Sequence, residues 1–172
     1  MSTTRTMGIS VTDVDTTAQL PLGFLYREPA SSDNEGEKVW IYVFNDEAST
    51  AFAAGNVIAR DAATTTYDGI LAAASSPGSR VIGVAQHAIA AGSYGFIQRQ
   101  GIAEVKAGTG TIDVNEGIVV DTTDAGTAME FGSIAEAMDG TSTEHGVSGP
   151  FGWATENANA TALATCMIDC RG

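Results

Sequence analysis

Histidine and cysteine are the residue types best suited to metal binding and nucleophilic attack, and the chain contains only two of each. Neither His87 nor His145 has a Cys, Asp or Glu nearby at the spacing of a metal site. Cys166 and Cys170 are four residues apart. A strand would hold them about 13 Å apart on one face, too far for a disulfide between them. The pattern predicts two buried thiols and no metal centre.

Other motifs of catalysis or ligand binding are incomplete. The chain has no Gly-x-Ser-x-Gly motif to support a Ser-His-Asp arrangement. The Ala107-Gly-Thr-Gly-Thr turn lacks the lysine and the following helix of a phosphate loop. The polar loop 29–38 does not have calcium-loop spacing, although it carries Asp33, Asn34, Glu35 and Glu37. We therefore predict no catalytic residue, no cofactor and no metal, and we expect the protein not to be an enzyme.

Acidic residues dominate the charge: 21 Asp and Glu oppose 8 Lys and Arg, for a net charge of -13. This charge repels nucleic-acid phosphates and anionic membranes, so we expect neither as a partner. Residues 107–170 contain ten Asp and Glu and no Lys or Arg, which is typical of a solvated acidic face. The chain has no signal-peptide pattern at its start and no apolar run of about 18 residues, so we expect neither secretion by a signal peptide nor a transmembrane helix.

The elements that would position any site are predicted to be β-strands. The 172 residues include 20 glycines and many threonines, and short apolar or alternating runs recur between glycine-bearing turns. The run from Tyr94 to Lys106 has Gly101 at its middle, which predicts a bulge or bend. The run from Val39 to Phe44 is apolar on both faces, so both must be covered, either within the chain or by a partner. The segment from Asn45 to Gly55 predicts a short helical turn, because a cap-like Asn precedes alanines and a closing Gly.

The chain divides into an N-terminal arm, residues 1–18, and a single β domain, residues 19–172. We expect an all-β barrel, tulip-like or sandwich domain made of two weakly repeated halves, 53–101 and 115–170. The repeat is visible where Ile82-Gly-Val-Ala-Gln matches Phe151-Gly-Trp-Ala-Thr. A second match pairs Ala54-Gly-Asn-Val-Ile with Glu116-Gly-Ile-Val-Val. The strand around Trp40 and the strand from Gly101 to Ala107 are predicted to be the equivalent first strands of the two halves.

The middle of the chain resembles the capsid decoration, or cement, proteins of tailed bacteriophages. The resemblance is carried by Val84-Ala, the Ala-Ala-Gly turn ending at Gly92, Gly95-Phe-Ile-Gln-Arg-Gln-Gly, and Ile102-Ala-Glu-Val. An Ala-x-Gly-x-x-Val type of turn follows near Asn115 to Val120. The resemblance implies a structural protein on the outer surface of a virion. It would be a homotrimer that bridges subunits of the major capsid protein, without enzyme activity.

Two sets of apolar residues are our candidate contacts for such a role. The first set is assigned to capsid contacts of the arm and consists of Ile9, Val11 and Leu20. The second set is assigned to the trimer interface or the barrel core and consists of Phe24, Tyr26, Trp40 and Tyr42. The alternatives are another virion component, such as a head fibre, tail or baseplate module, and a cytoplasmic β-barrel binding protein.

Overall fold

The structure is a computed structural model that describes residues 8–31, 35–61, 66–73, 80–131 and 150–170. Those residues form ten strands joined in one hydrogen-bonded sheet, which confirms the all-β prediction. The strands are β1 (Leu25–Glu28), β2 (Lys38–Asn45), β3 (Val57–Arg60), β4 (Asp68–Leu71), β5 (Val81–Val84), β6 (Tyr94–Lys106), β7 (Gly117–Val120), β8 (Ala128–Glu130), β9 (Gly152–Ala154) and β10 (Leu163–Asp169).

The first barrel is a closed ring of five strands in the order β2, β4, β3, β5 and β6, with β6 pairing back to β2. Every neighbouring pair is antiparallel except β2 and β4, which are parallel. Alternating apolar residues turn one face of each strand inward, and closure removes the exposed edges of an open sheet. One buried cluster contains Ile41, Val43, Phe52, Ile58, Ile82, Ala85, Ile89 and Ile97.

The second ring repeats this order of pairings with β6, β8, β7, β9 and β10. Here β7 pairs antiparallel with both β8 and β9, and β10 pairs antiparallel with β9 and β6. A parallel bridge between Ala107 and Ala128 joins the end of β6 to β8. The core of this ring has smaller side chains, including Ala103, Ala154, Ala164 and Cys166, and it is continuous with Val57, Ala59, Val81 and Val84 of β3 and β5.

Strand β6 belongs to both rings because it is 13 residues long and bends at its middle. Gly101 has a φ of 100°, and a Cβ there would lie 2.5 Å from the carbonyl oxygen of Glu37. The pairing with β2 shifts register between Gln98 and Gln100, just before Gly101, so a bulge lies beside the predicted position. The buried side chain of Gln98 spans the bend by donating Nε2 to the carbonyl oxygens of Ile102 (2.8 Å) and Gln100 (3.2 Å).

Strand register defines which positions of the two rings are equivalent. Ile58 faces Gly83 in the first barrel, and Ile118 faces Gly152 in the second ring. The turns before these strands both contain a left-handed residue, Gly55 (φ 84°) in one and Asn115 (φ 71°) in the other. The register therefore makes Gly55 equivalent to Asn115, two residues away from the glycine match seen in the sequence. Descent of the two rings from one duplicated unit stays a proposal, as does the division into arm and domain.

The helical turn predicted between Asn45 and Gly55 is wrong. The segment is an extended loop in which Phe52 and Ile89 exchange two backbone hydrogen bonds, of 2.9 and 3.1 Å. The side chain of Asn45 is buried and donates to the carbonyl oxygens of Thr50 and Ile89, while it accepts from the amide of Glu47. Asn45 therefore stabilises a loop instead of capping a helix, which is the other common use of this residue type.

Candidate interaction surfaces

The two predicted sets of contact residues lie together on the outer face of β2 and β6. The buried centre of this surface, which we call the arm face, is formed by Trp40, Tyr42 and Phe96. The partly buried residues packed against this centre are Ile9, Val11, Leu20, Leu22, Phe24, Tyr26 and Tyr94. Within the described part of the arm, the chain thus covers the second apolar face of β2 itself. Residues 1–7 of the arm lie outside the described residues.

Backbone hydrogen bonds fix the arm along the barrel. Asp15 and Tyr94 form an antiparallel bridge, with N to O distances of 3.1 and 2.8 Å. Further along, the amide of Gly23 donates to the carbonyl oxygen of Tyr42 (2.8 Å), and the amide of Tyr42 donates to the carbonyl oxygen of Phe24 (2.9 Å). These bonds hold residues 8–24 against the outer side of the sheet at separate points, with turns at 10–13 and 21–24.

Aromatic rings make up the centre of the arm face. The ring of Tyr42 lies edge-on to Phe96 at 5.1 Å and stacks on Tyr94 at 6.2 Å. Burial raises the pKa of Tyr42, whose hydroxyl oxygen accepts a hydrogen bond from the amide of Gln19. The indole of Trp40 donates Nε1 to Glu28 at 2.9 Å. These polar tips are thus partnered within the chain, as buried aromatic residues require. The assignment of this face to a trimer interface or a capsid contact stays a prediction.

The second ring exposes the equivalent part of its outer face. Strand register aligns Ile102, Met167 and Trp153 side by side across β6, β10 and β9. Gly117 follows on β7, and its neighbours are the side chains of Pro150 and Phe131. Trp153 is 50% exposed and Phe131 is 44% exposed, while Ile102 and Met167 are half-buried. We call the row of Ile102, Met167, Trp153 and Phe131 the apolar band.

In the first barrel the corresponding row is buried. Register places Trp40, Gln98 and Val84 at the positions of Ile102, Met167 and Trp153, and all three are at most 6% exposed. The arm covers Trp40, and the second ring's core cluster includes Val84. The described residues include no equivalent cover for the apolar band. The two rings therefore have the same order of strand pairing, but the equivalent row of outer-face residues is buried in the first barrel and partly exposed in the second ring.

The apolar band was not predicted from the sequence, where Trp153 stands out only in the repeat match Phe151-Gly-Trp-Ala-Thr. The available signal was the alternation Gly152-Trp153-Ala154, in which one large side chain stands between two small ones. Alternation alone does not show that residues distant in sequence are adjacent, because this depends on strand register.

In the described part of the chain, the cysteines and His87 are in environments that do not favour reactivity. Burial raises the pKa of Cys166 to about 12 and also raises the pKa of Cys170, so both thiols stay protonated and inert, as predicted for buried cysteines. Burial lowers the pKa of His87, which favours its neutral form. Burial and the nearby carboxylates of Asp68 and Asp61 raise the pKa of Asp46. His145, Asp33 and Asn34 lie outside the described residues.

Neither a metal cluster nor a membrane span is found in the part of the chain that the structure describes. No group of three or more His, Cys, Asp and Glu side chains there is arranged to hold a metal ion. The same residues include no helix with the length and apolar character needed to cross a membrane.

Comparison with known proteins finds a likeness to a solved structure. The fold is similar to the N base of the head fibre protein gp8.5 of bacteriophage phi29, with a TM-score of 0.50 and 18% sequence identity. The match covers 77% of this chain and 94% of that chain. No protein-family model matches this chain, and no curated protein matches it. At this identity the likeness establishes the fold alone.

Proposed function

We propose that this protein is a structural component of a bacteriophage particle and attaches to the outside of the head. The observation that carries the proposal is the similarity to the N base of a phage head fibre, which extends over 94% of that chain. The sequence resemblance of residues 84–105 to phage decoration proteins leads independently to a component of the virion surface. A net charge of -13 also suits a protein outside the shell better than one in contact with packaged nucleic acid.

Within this function, the first candidate role is the base of a head fibre, because the fold similarity is to a protein of that kind. The base would bind the major capsid protein and present a distal part to the surroundings. The second candidate role is that of a cement protein that bridges subunits of the major capsid protein and stabilises the shell. The resemblance of residues 84–105 favours this second role. Self-association as a homotrimer is part of both proposals, since several weak contacts repeated by symmetry increase the total affinity.

Antibody labelling of purified particles tests the attachment. We expect gold-labelled antibodies against the chain to decorate heads in electron micrographs. Labelling confined to tails or baseplates would contradict attachment to the head, and absence of label from intact particles would contradict a virion component.

Particles made without the protein distinguish the two roles. If the chain is a fibre base, heads without it lose their fibres and keep the heat stability of complete heads. If it is a cement protein, heads without it release DNA at lower temperature or lower ionic strength. Adding the purified protein back serves as the control in both cases, because it should restore the missing property.

A further inference from the structure

The apolar band is the main surface feature that the described fold leaves without a partner. Ile102, Met167 and Trp153 come from β6, β10 and β9, so strand pairing holds them in a fixed row. Phe131 follows β8 and lies beside Gly117 of β7. A half-exposed tryptophan flanked by methionine, isoleucine and phenylalanine is typical of contact surfaces, where large rigid side chains contribute most of the binding free energy. The corresponding row of the first barrel is buried, which shows that the same outer surface can be covered by protein.

The surroundings of the band are acidic. Two acidic residues lie on the band's own side of the sheet: Asp169 is two residues beyond Met167 on β10, and the exposed Glu104 is two residues beyond Ile102 on β6. Residues 107–170, which supply β7 to β10, contain no Lys or Arg. The described basic residues near the band lie toward its Ile102 end: Lys106 is four residues beyond Ile102 on the same face of β6, the backbone of Lys38 lies against Gly101, and Arg99 donates Nε to the carbonyl oxygen of Cys170 at 2.8 Å.

We propose that the apolar band is the surface by which this chain docks on the phage head, and that the shell surface it contacts is apolar at its centre and lined with Lys and Arg. The proposal rests on the proposed function and specifies its site and the chemistry of its partner. Charge selects this partner, because opposite charges around an apolar contact increase the association rate and exclude wrong partners. Trp153 is the central anchor, and Met167, Ile102 and Phe131 extend the contact to both sides.

Other occupants fit the band less well. Two copies facing each other through this surface would bring the same acidic residues together, since a two-fold contact pairs each patch with itself. Anionic lipid and nucleic acid are repelled by the same carboxylates. A trimer of this chain would then form through another surface, which leaves the band free for the shell.

The experiment measures binding of the purified full chain to heads that lack it, by co-sedimentation over a range of concentrations. Trp153→Thr removes the anchor and retains a residue suited to a strand. Leu25→Thr is the matched control, because Leu25 is 46% exposed on β1 of the first barrel. We expect Trp153→Thr to weaken binding on the order of 30-fold, as truncation of a central anchor does. Leu25→Thr should stay within about twofold of the parent, as expected away from the contact.

A second measurement uses the free protein and does not depend on the fold of a variant. The chain has two tryptophans, and Trp40 is only 6% exposed. We expect acrylamide to quench one tryptophan readily and the other poorly. Raised salt should weaken binding to heads, because the polar rim of the contact is charged.

The outcomes distinguish failure of the proposed docking surface from failure of the proposed attachment to the head. Equal binding by Trp153→Thr and the parent would overturn the docking surface while attachment to the head stands. Failure of the parent to bind heads would overturn the proposed attachment, and the choice of partner with it. Poor quenching of both tryptophans in the free protein would mean that the band is covered already. That result overturns the proposal, whether a second copy or the same chain supplies the cover.

Discussion

The first barrel and the second ring share one order of strand pairings, but they differ in the side chains of their cores and in the exposure of their outer faces. The first barrel is filled by Ile, Val and Phe side chains, whereas the second ring has many Ala and two Cys in its core. The first barrel is covered outside by the arm and by the second ring, whereas the second ring exposes Trp153. The same order of strand pairing is therefore compatible with core side chains of different size and with an outer face that is either covered or exposed.

The largest expected effect comes from the core positions that correspond in the two rings. Phe52 and Ile112 each form a backbone bridge in the loop before an equivalent strand, and both are fully buried. We expect Phe52→Ala to lower the free energy of unfolding by about 4 kcal/mol and Ile112→Ala by about 3 kcal/mol, through lost apolar contact and the cavity left behind. Urea unfolding followed by circular dichroism measures both. A larger loss at Ile112 would contradict the idea that the first barrel is the more fully packed ring.

A second pair of positions tests whether the rings share a tight backbone approach. A Cβ at Gly83 would lie 2.6 Å from the carbonyl oxygen of Gln98, and one at Gly152 would lie even closer to the carbonyl oxygen of Met167. Gln98 and Met167 are equivalent by register, so the same contact occurs twice. We expect Gly83→Ala and Gly152→Ala each to destabilise the fold by about 2 kcal/mol, because the strands must separate slightly.

Gly110→Ala is the matched control for that pair, because nothing lies within 4 Å of its Cβ position. Its stability should stay within about 0.5 kcal/mol of the parent. A large loss of stability for Gly83→Ala with none for Gly152→Ala would show that the second ring can accommodate the added methyl group. The two rings would then be equivalent in strand topology but not in packing.

The turns before β6 and β10 give a third comparison, with effects of opposite sign. Gly92 (φ 71°) and Thr161 (φ 64°) both have left-handed backbone, which is unfavourable for a β-branched residue. We expect Thr161→Gly to stabilise the protein by about 1 kcal/mol and Gly92→Thr to destabilise it by about 1 to 2 kcal/mol. Nothing lies within 4 Å of the Cβ position at Gly92, so the change there reports backbone strain alone. Thermal unfolding checks both signs, and destabilisation by Thr161→Gly would contradict the argument.

The smallest effect is a pH dependence confined to the arm face. Burial raises the pKa of Tyr42, so the folded state holds this proton more tightly than the unfolded state. The resulting stability is fully present below the normal tyrosine pKa of about 10 and is lost as pH rises through the folded pKa. Tyr42→Phe should remove this part of the loss, which unfolding measurements between neutral and strongly alkaline pH would detect. The equivalent position in the second ring is Glu104, so a tyrosine dependence is expected from the first barrel only.

Much of the fold could be predicted from sequence because it depends on local pattern. Alternation and turn glycines identified the strands, and Gly101 in a long apolar run indicated the bend that lets β6 serve both rings. Apolar residues on both faces of β2 predicted that each face is covered. The prediction for the loop after β2 was wrong because an Asn side chain can either cap a helix or hydrogen-bond the backbone of a loop. Asn45 does the latter, and its partner Ile89 is distant in sequence.

The candidate site was harder to predict, because it depends on distances between strands. Ile9, Val11 and Leu20 were predicted to contact a capsid, and this stays a prediction. Their packing on the cluster of Trp40 and Tyr42 depends on how the chain folds back. Ile102, Trp153 and Met167 become one surface only when β6, β9 and β10 are paired in register. No pattern within a single segment contains that information.

The strand β6 has a mechanical consequence for a protein on the surface of a particle. Because one continuous backbone runs through both rings, a pull that separates them acts along the covalent bonds of β6 as well as across the buried side-chain contacts between the rings. Hydrogen-bonded neighbours flank both halves of that backbone, β2 and β5 on one side of the bend and β10 on the other. Tension along β6 would have to shear several bonds of a ladder at once, which makes this strand the stiff axis of the molecule.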